Sequence, residues 1–356
     1  MKPMGVSSFL RGLGRIHPAR GEWTVAVRAA LSVLVPLLAL WASGRLEWAV
    51  FAALSALASL FGRTLPLPLR LRAQGEAGAS LILGILLGML VSLSPQREWL
   101  LIPVAAVYAT ATAIVAHRRN WHPPGVLFQV FALGASASTA HPASDLVPAA
   151  AVSIATLAYC LALTYATSLA RHLWRRASHG AHPWSHGPAA AGTLPGEGPE
   201  WPLRHYVIRY AVAVVIAGTL STLLGIGHPY WAIVSVVVPM AAPSASARVT
   251  RAVQRVVGTL GGVLITGAVL ALDPAPLALI LIIAAAQLGA ELLIGRNYAL
   301  ALLFITPLAL SMVQLGHPLP VAQLVGDRMI ETVLGVAVAI VITLATRERR
   351  QRGDAE

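Results

Sequence analysis

Twelve apolar segments run through this chain, and that pattern excludes a soluble domain. They cover residues 23–43, 46–61, 73–93, 100–116, 123–140, 146–172, 205–226, 229–243, 249–271, 275–294, 298–315 and 320–346. A helix of about 20 apolar residues crosses a hydrocarbon core, and its backbone groups satisfy one another on the way. The segments predict an all-α, polytopic integral membrane protein with about 12 transmembrane helices. Composition agrees: 57% of residues are hydrophobic, only 11% are charged, and mean hydropathy is +0.72. The first run is too long for the apolar region of a secretory signal, so it reads as an uncleaved first span. The lone Cys160 excludes an internal disulfide and reads as a helix-packing residue.

A net charge of +12 in a soluble protein suggests nucleic acid. Here its placement argues otherwise, and no nucleic-acid partner is expected. Odd-numbered connectors hold little positive charge, whereas even-numbered ones carry Arg63, Arg70 and Arg72, Arg118 and Arg119, Arg171, Arg175 and Arg176, Arg248, Arg251 and Arg255, and Arg296. By the positive-inside rule both termini and the central linker are cytoplasmic, and the lipid bilayer is the surrounding partner.

The segments fall into two sixes that repeat. Glu47-Trp48-Ala49-Val50 matches Tyr230-Trp231-Ala232-Ile233 at an offset of 183, which also carries Arg72 onto Arg255, Gly75 onto Gly258, Gly78 onto Gly261 and Gly84 onto Gly267. Further on the offset is 176, and Phe128 falls on Phe304 and His141-Pro142 on His317-Pro318. Six spans per copy give parallel repeats related by an axis along the membrane normal. The expected organisation is a cytoplasmic tail at 1–22, a first six-helix repeat at 23–172, a Gly- and Pro-rich linker at 173–204, a second repeat at 205–346 and a cytoplasmic tail at 347–356.

Two segments stand out as short. The second runs into Gly62, Pro66 and Pro68, and the eighth contains Pro239 and is followed by Pro243. Short, proline-broken segments at matching positions of two repeats point to a binding site with a hinge at Pro239 and Pro243; the alternative is a short span with a proline-rich inner loop. Arg72 and Arg255 lead into the third and ninth helices, where guanidinium forks would draw organic anions into an inner vestibule; the alternative is the topological signal with lipid phosphate contacts. Arg28 and Arg209 lie one to two turns inside the first and seventh spans, as substrate-binding charges or as side chains reaching the headgroups. Glu291 lies near the inner end of the tenth span, as a proton-coupling carboxylate or a partner in an ion pair. Asp327, Arg328 and Glu331 cluster on the twelfth, spaced for an ion pair or for a proton-coupling carboxylate. Gly84-x-x-x-Gly88 and Gly258-x-x-x-Gly262 predict close helix crossings. No phosphate loop, zinc-protease or nucleophile-elbow motif occurs and the histidines lack ligand spacing, so neither an enzyme, a metal nor a cofactor is expected.

His228-Pro229-Tyr230-Trp231-Ala232, then Arg251-x-x-x-Arg255-Val256-Val257-Gly258-Thr259-x-x-Gly262, resembles the central signature of the fusaric-acid-resistance-like (FUSC) family. Asn297-Tyr298-Ala299, Phe304-x-Thr306-Pro307 and Asp327-Arg328-Met329-Ile330-Glu331-Thr332-x-x-Gly335 resemble its closing pattern. The first half resembles the family more weakly, keeping Trp48 and Arg72 but lacking the Thr-Pro and Arg-x-x-Glu-Thr elements. Relatives include aromatic acid exporters of bacterial inner membranes and, more distantly, plant malate channels. The resemblance implies a transporter that exports aromatic or other organic anions using the proton-motive force. A passive anion channel and a non-transporting, lipid-binding scaffold are the alternatives. Either a monomer or a homodimer fits the fused repeats.

Overall fold

The computed structural model describes residues 22–179, 203–242 and 244–346. Both tails, the central part of the linker and Pro243 lie outside the described residues.

Each apolar segment forms a helix: α1 (Glu22–Ala42), α2 (Ala49–Ala56), α3 (Leu67–Ser92), α4 (Arg97–Arg118), α5 (Leu127–Ser138), α6 (Leu146–His179), α7 (Leu203–Leu223), α8 (Tyr230–Met240), α9 (Ala245–Leu270), α10 (Pro276–Ile294), α11 (Tyr298–Gly316) and α12 (Val321–Ala345). Short 3-10 turns at Leu46–Trp48 and Leu57–Leu60 flank α2. Among the described residues, eight helices are long and apolar enough to cross a membrane; the stretches Leu46–Leu60, Leu127–Ser138, Val207–Leu223 and Tyr230–Met240 are shorter. The described residues are thus those of a multi-pass membrane protein and are helical throughout their regular structure. Leu83, Val107, Ile154, Leu264 and Val341 point outward from long helices, where acyl chains would cover them.

The two shortest helices occupy the centre. Every residue of α2 and α8 is buried. A helix that is apolar all round needs protein on all sides, and these two have it, so neither needs to span lipid. Pro239 does not break α8 as expected from the sequence. The helix runs through it to Met240, because a proline in the last turn displaces few ladder bonds.

Packing recurs six helices apart. α3 packs on α5 and α6, and α9 on α11 and α12; α4 packs on α7, and α10 on α1; α6 packs on α2, and α12 on α8. Glycines permit the closest crossings. A Cβ on Gly88 would strike the Leu133 carbonyl and lie 2.8 Å from Ser136 Cβ, and one on Gly262 would lie 2.6 Å from both the Leu302 carbonyl and Thr306 Cβ. Among the described residues, these close approaches join α3 to α5 and α9 to α11.

Helix starts differ from the sequence boundaries in one consequential way. α3 begins at Leu67 and α9 at Ala245. Arg70 and Arg72, like Arg248, Arg251 and Arg255, therefore ride on the N-terminal parts of helices rather than in connectors.

Candidate anion-binding cavity

Capping fixes the phase of the two helices that matter most. The Ser244 hydroxyl accepts the Ala247 N–H at 3.2 Å and starts α9. From that start, Arg248, Ala252, Arg255, Gly258 and Thr259 fall on the buried face. The Asn297 side chain accepts the Ala299 and Leu300 N–H groups at 2.9 and 3.2 Å and starts α11, setting Tyr298 at its first turn.

A cavity of about 540 Å³ lies between the halves. Arg63, Pro123–Gly125, Ala242, Ser246 and Ile294 line it at the end of the bundle that carries the Arg-rich connectors. It runs inward past Tyr298, Ile305 and Ala309 to Phe131, Trp231, Met312 and Arg328. Its charged lining is Arg63, Arg251, Arg255 and Arg328 against one carboxylate, Glu291. Glu291 Oε2 lies 3.5 Å from Arg63 Nη1, which offsets one of the four cations.

Arg255 is a buried member of the cavity wall. It is 2% exposed, and its Nη1 donates to the Tyr298 hydroxyl at 2.9 Å. That anchor leaves Nε and Nη2, the side-on edge of the fork, with no hydrogen-bond partner. This edge is the one that grips a carboxylate with two parallel bonds. Arg251 lies 4.5 Å over the Tyr298 ring, so one tyrosine holds two arginines. Arg328 is 2% exposed, stacks 3.9 Å over the Trp231 ring, and has Nε and Nη1 unpartnered. Leaving a buried charge uncompensated costs several kcal/mol, and the cation–π contact recovers only about 2 kcal/mol of that.

The sequence placed three of its candidates here: Arg255, Arg328 and Glu291. It misplaced others. Arg72 points away from the cavity, its side chain 62% exposed and bound through Nε to Glu76 Oε1 at 2.9 Å. Arg119 reaches the same carboxylate at 3.5 Å. Arg28 is 3% exposed but lies outside the lining, within electrostatic reach of Glu291, Arg63, Arg70 and Arg171. Arg209 is half-buried on α7 with Nη2 3.7 Å from Met240 Sδ, also outside the lining. The expected Arg328–Glu331 ion pair does not form. Arg328 turns to Trp231, while Glu331, fully buried, accepts a 3.4 Å bond from Ser221 Oγ and leaves Oε2 unpartnered. Asp327 Oδ2 pairs with His228 Nδ1 at 3.1 Å. The sequence reading did not pick out Arg63, Arg251, Trp231 and Tyr298 as lining residues. For Tyr298 the signal was available, since it begins the turn that Asn297 caps.

Comparison with known proteins agrees with the resemblance read from the sequence. Residues 214–342 match the family described as fusaric acid resistance protein-like. The chain is also similar to the uncharacterized membrane protein YvaC of Bacillus subtilis (strain 168), with 34% identity over 147 residues, 41% of this chain. That match spans 23% of the length of YvaC, so less than a quarter of the relative is covered. No solved structure matches the chain.

Proposed function

We propose that the protein is a membrane transporter that exports organic anions, aromatic carboxylates among them, from a cytoplasmic vestibule. One observation carries this reading: Arg255, in the wall of a cationic cavity and anchored on Tyr298 through Nη1, keeps Nε and Nη2 buried without a hydrogen-bond partner. The carboxylate sits on Arg255 and Arg328, and the ring lies among Trp231, Phe131 and Tyr298. Each bond to a charged group is worth about 1.5–3 kcal/mol. An inside-negative potential favours outward movement of an anion by about 2.3 kcal/mol per charge per 100 mV, so the electrical part of the proton-motive force suffices as a drive.

Several features support the accompanying arrangement. The matched packing six helices apart supports two parallel repeats flanking the cavity. The Arg-rich connectors at one end of the cavity support an inner-membrane orientation with that end and both termini in the cytoplasm. Residues of one chain line the cavity all round, so a monomer is sufficient.

Efflux of radiolabelled benzoate from proteoliposomes tests the reading. Wild type exports the label, and Arg255→Gln and Arg328→Gln each lower the rate roughly 10- to 100-fold. Rates in both variants equal to wild type would reject the site.

A further inference from the structure

At the far end of the bundle, two residues related by the internal repeat meet. His141 follows α5, and His317 ends α11. Their rings stand edge to face with centroids 5.4 Å apart. Phe51 of α2 packs on His141 at 5.4 Å and closes the contact from the side. The His141 side chain is 3% exposed, and the Nε2 atoms of both rings are buried without a hydrogen-bond partner. The position along α11 matters. Met312 lines the deep end of the cavity, and His317 lies five residues further on, about 7.5 Å along the helix axis. The cavity wall reaches Met312, Trp231 and Arg328 and includes neither histidine, so the pair lies beyond that end of the cavity.

Resting on the transport reading above, we propose that His141 and His317 form the outer gate of the pathway: neutral, they close the seam, and doubly protonated, they part. The charged groups facing them fix the sign. Asp145 Oδ2 lies 3.9 Å from His141 Nδ1 and compensates one proton. Arg97, at the start of α4, and His317 both disfavour a charge on His141, and Asp145 is the sole charged group favouring one on His317. One carboxylate cannot balance two imidazolium ions and a guanidinium. Burial is the largest influence on each ring and holds both below the ordinary imidazole value. An acidic outer compartment thus opens the exit, while neutral pH keeps it shut.

The test reads the gate without relying on any cargo. Met312→Cys is introduced with Cys160→Ala, and a membrane-impermeant maleimide is applied from the side bearing the histidines. Labelling is normalised to Gln96→Cys, an exposed site on that face. At pH 7.5 Met312→Cys should label at least tenfold more slowly from this side than from the Arg-rich side. The difference should shrink at pH 5.5, and at pH 7.5 in the His141→Gln, His317→Gln double variant. Equal labelling from both sides at pH 7.5, or a ratio unchanged by pH in the native histidines, overturns the gate. The expected labelling pattern in a protein that exports no benzoate leaves the gate standing and sinks the anion reading instead.

Discussion

Arg72 and Arg255 occupy the same position in the two halves and lead different lives. Arg255 is buried, anchored on Tyr298 and faces the cavity. Arg72 lies on the surface, tied to Glu76. The difference comes from neighbours. One turn after Arg72 stands Glu76, whereas the equivalent place after Arg255 is Thr259. Trp48 and Trp231 diverge in the same way: exposed Arg45 stands 5.1 Å over the first, and buried Arg328 lies 3.9 Å over the second. The halves share a helical frame, but three of the four arginines in the cavity wall belong to the second. The region that matches the fusaric acid resistance protein-like family, 214–342, is this charged half.

What the halves share should fail alike in both. Gly88→Leu and Gly262→Leu each drive a side chain into the backbone of a facing helix. Overpacking of this kind costs about 1–3 kcal/mol where neighbours can yield, and a helix backbone yields little. Both variants should lose most of the folded, monodisperse protein in detergent. Gly75→Ala, with open space at its Cβ, should be neutral or stabilising by up to about 1 kcal/mol. A fold that tolerates one leucine and not the other would break the equivalence of the two frames.

A smaller effect sharpens the comparison where the halves touch. His141 and His317 come one from each half, and both rings titrate below the ordinary value of about 6.5. As pH falls through that value, the unfolded chain binds protons that the folded chain resists. Stability is therefore full above about pH 6.5 and is lost as pH drops below it. Thermal melting at pH 7.5 and pH 5.5 should show the loss, and each single His→Gln substitution should remove part of it. A loss unchanged in the double variant would assign it to other groups.

The helices were legible because length and apolar continuity suffice to define a membrane helix. Arg328 and Glu291 were legible because a charge in an apolar span is rarely idle. Arg72 was misread because repeat equivalence transfers a position and not its surroundings. The Arg328–Glu331 pair was misread because spacing along one helix does not reveal the Trp231 ring that α8 brings to Arg328. Arg63 was assigned to topology, since its contact with Glu291 joins distant parts of the chain.

Equilibrium binding of labelled benzoate to the purified protein tests the central contrast most directly. Wild type and Arg72→Gln should bind one saturable equivalent with affinities within about twofold, as expected for an exposed ion pair, while Arg255→Gln should bind at least tenfold more weakly. Loss of binding in Arg72→Gln, or unchanged binding in Arg255→Gln, would contradict the account.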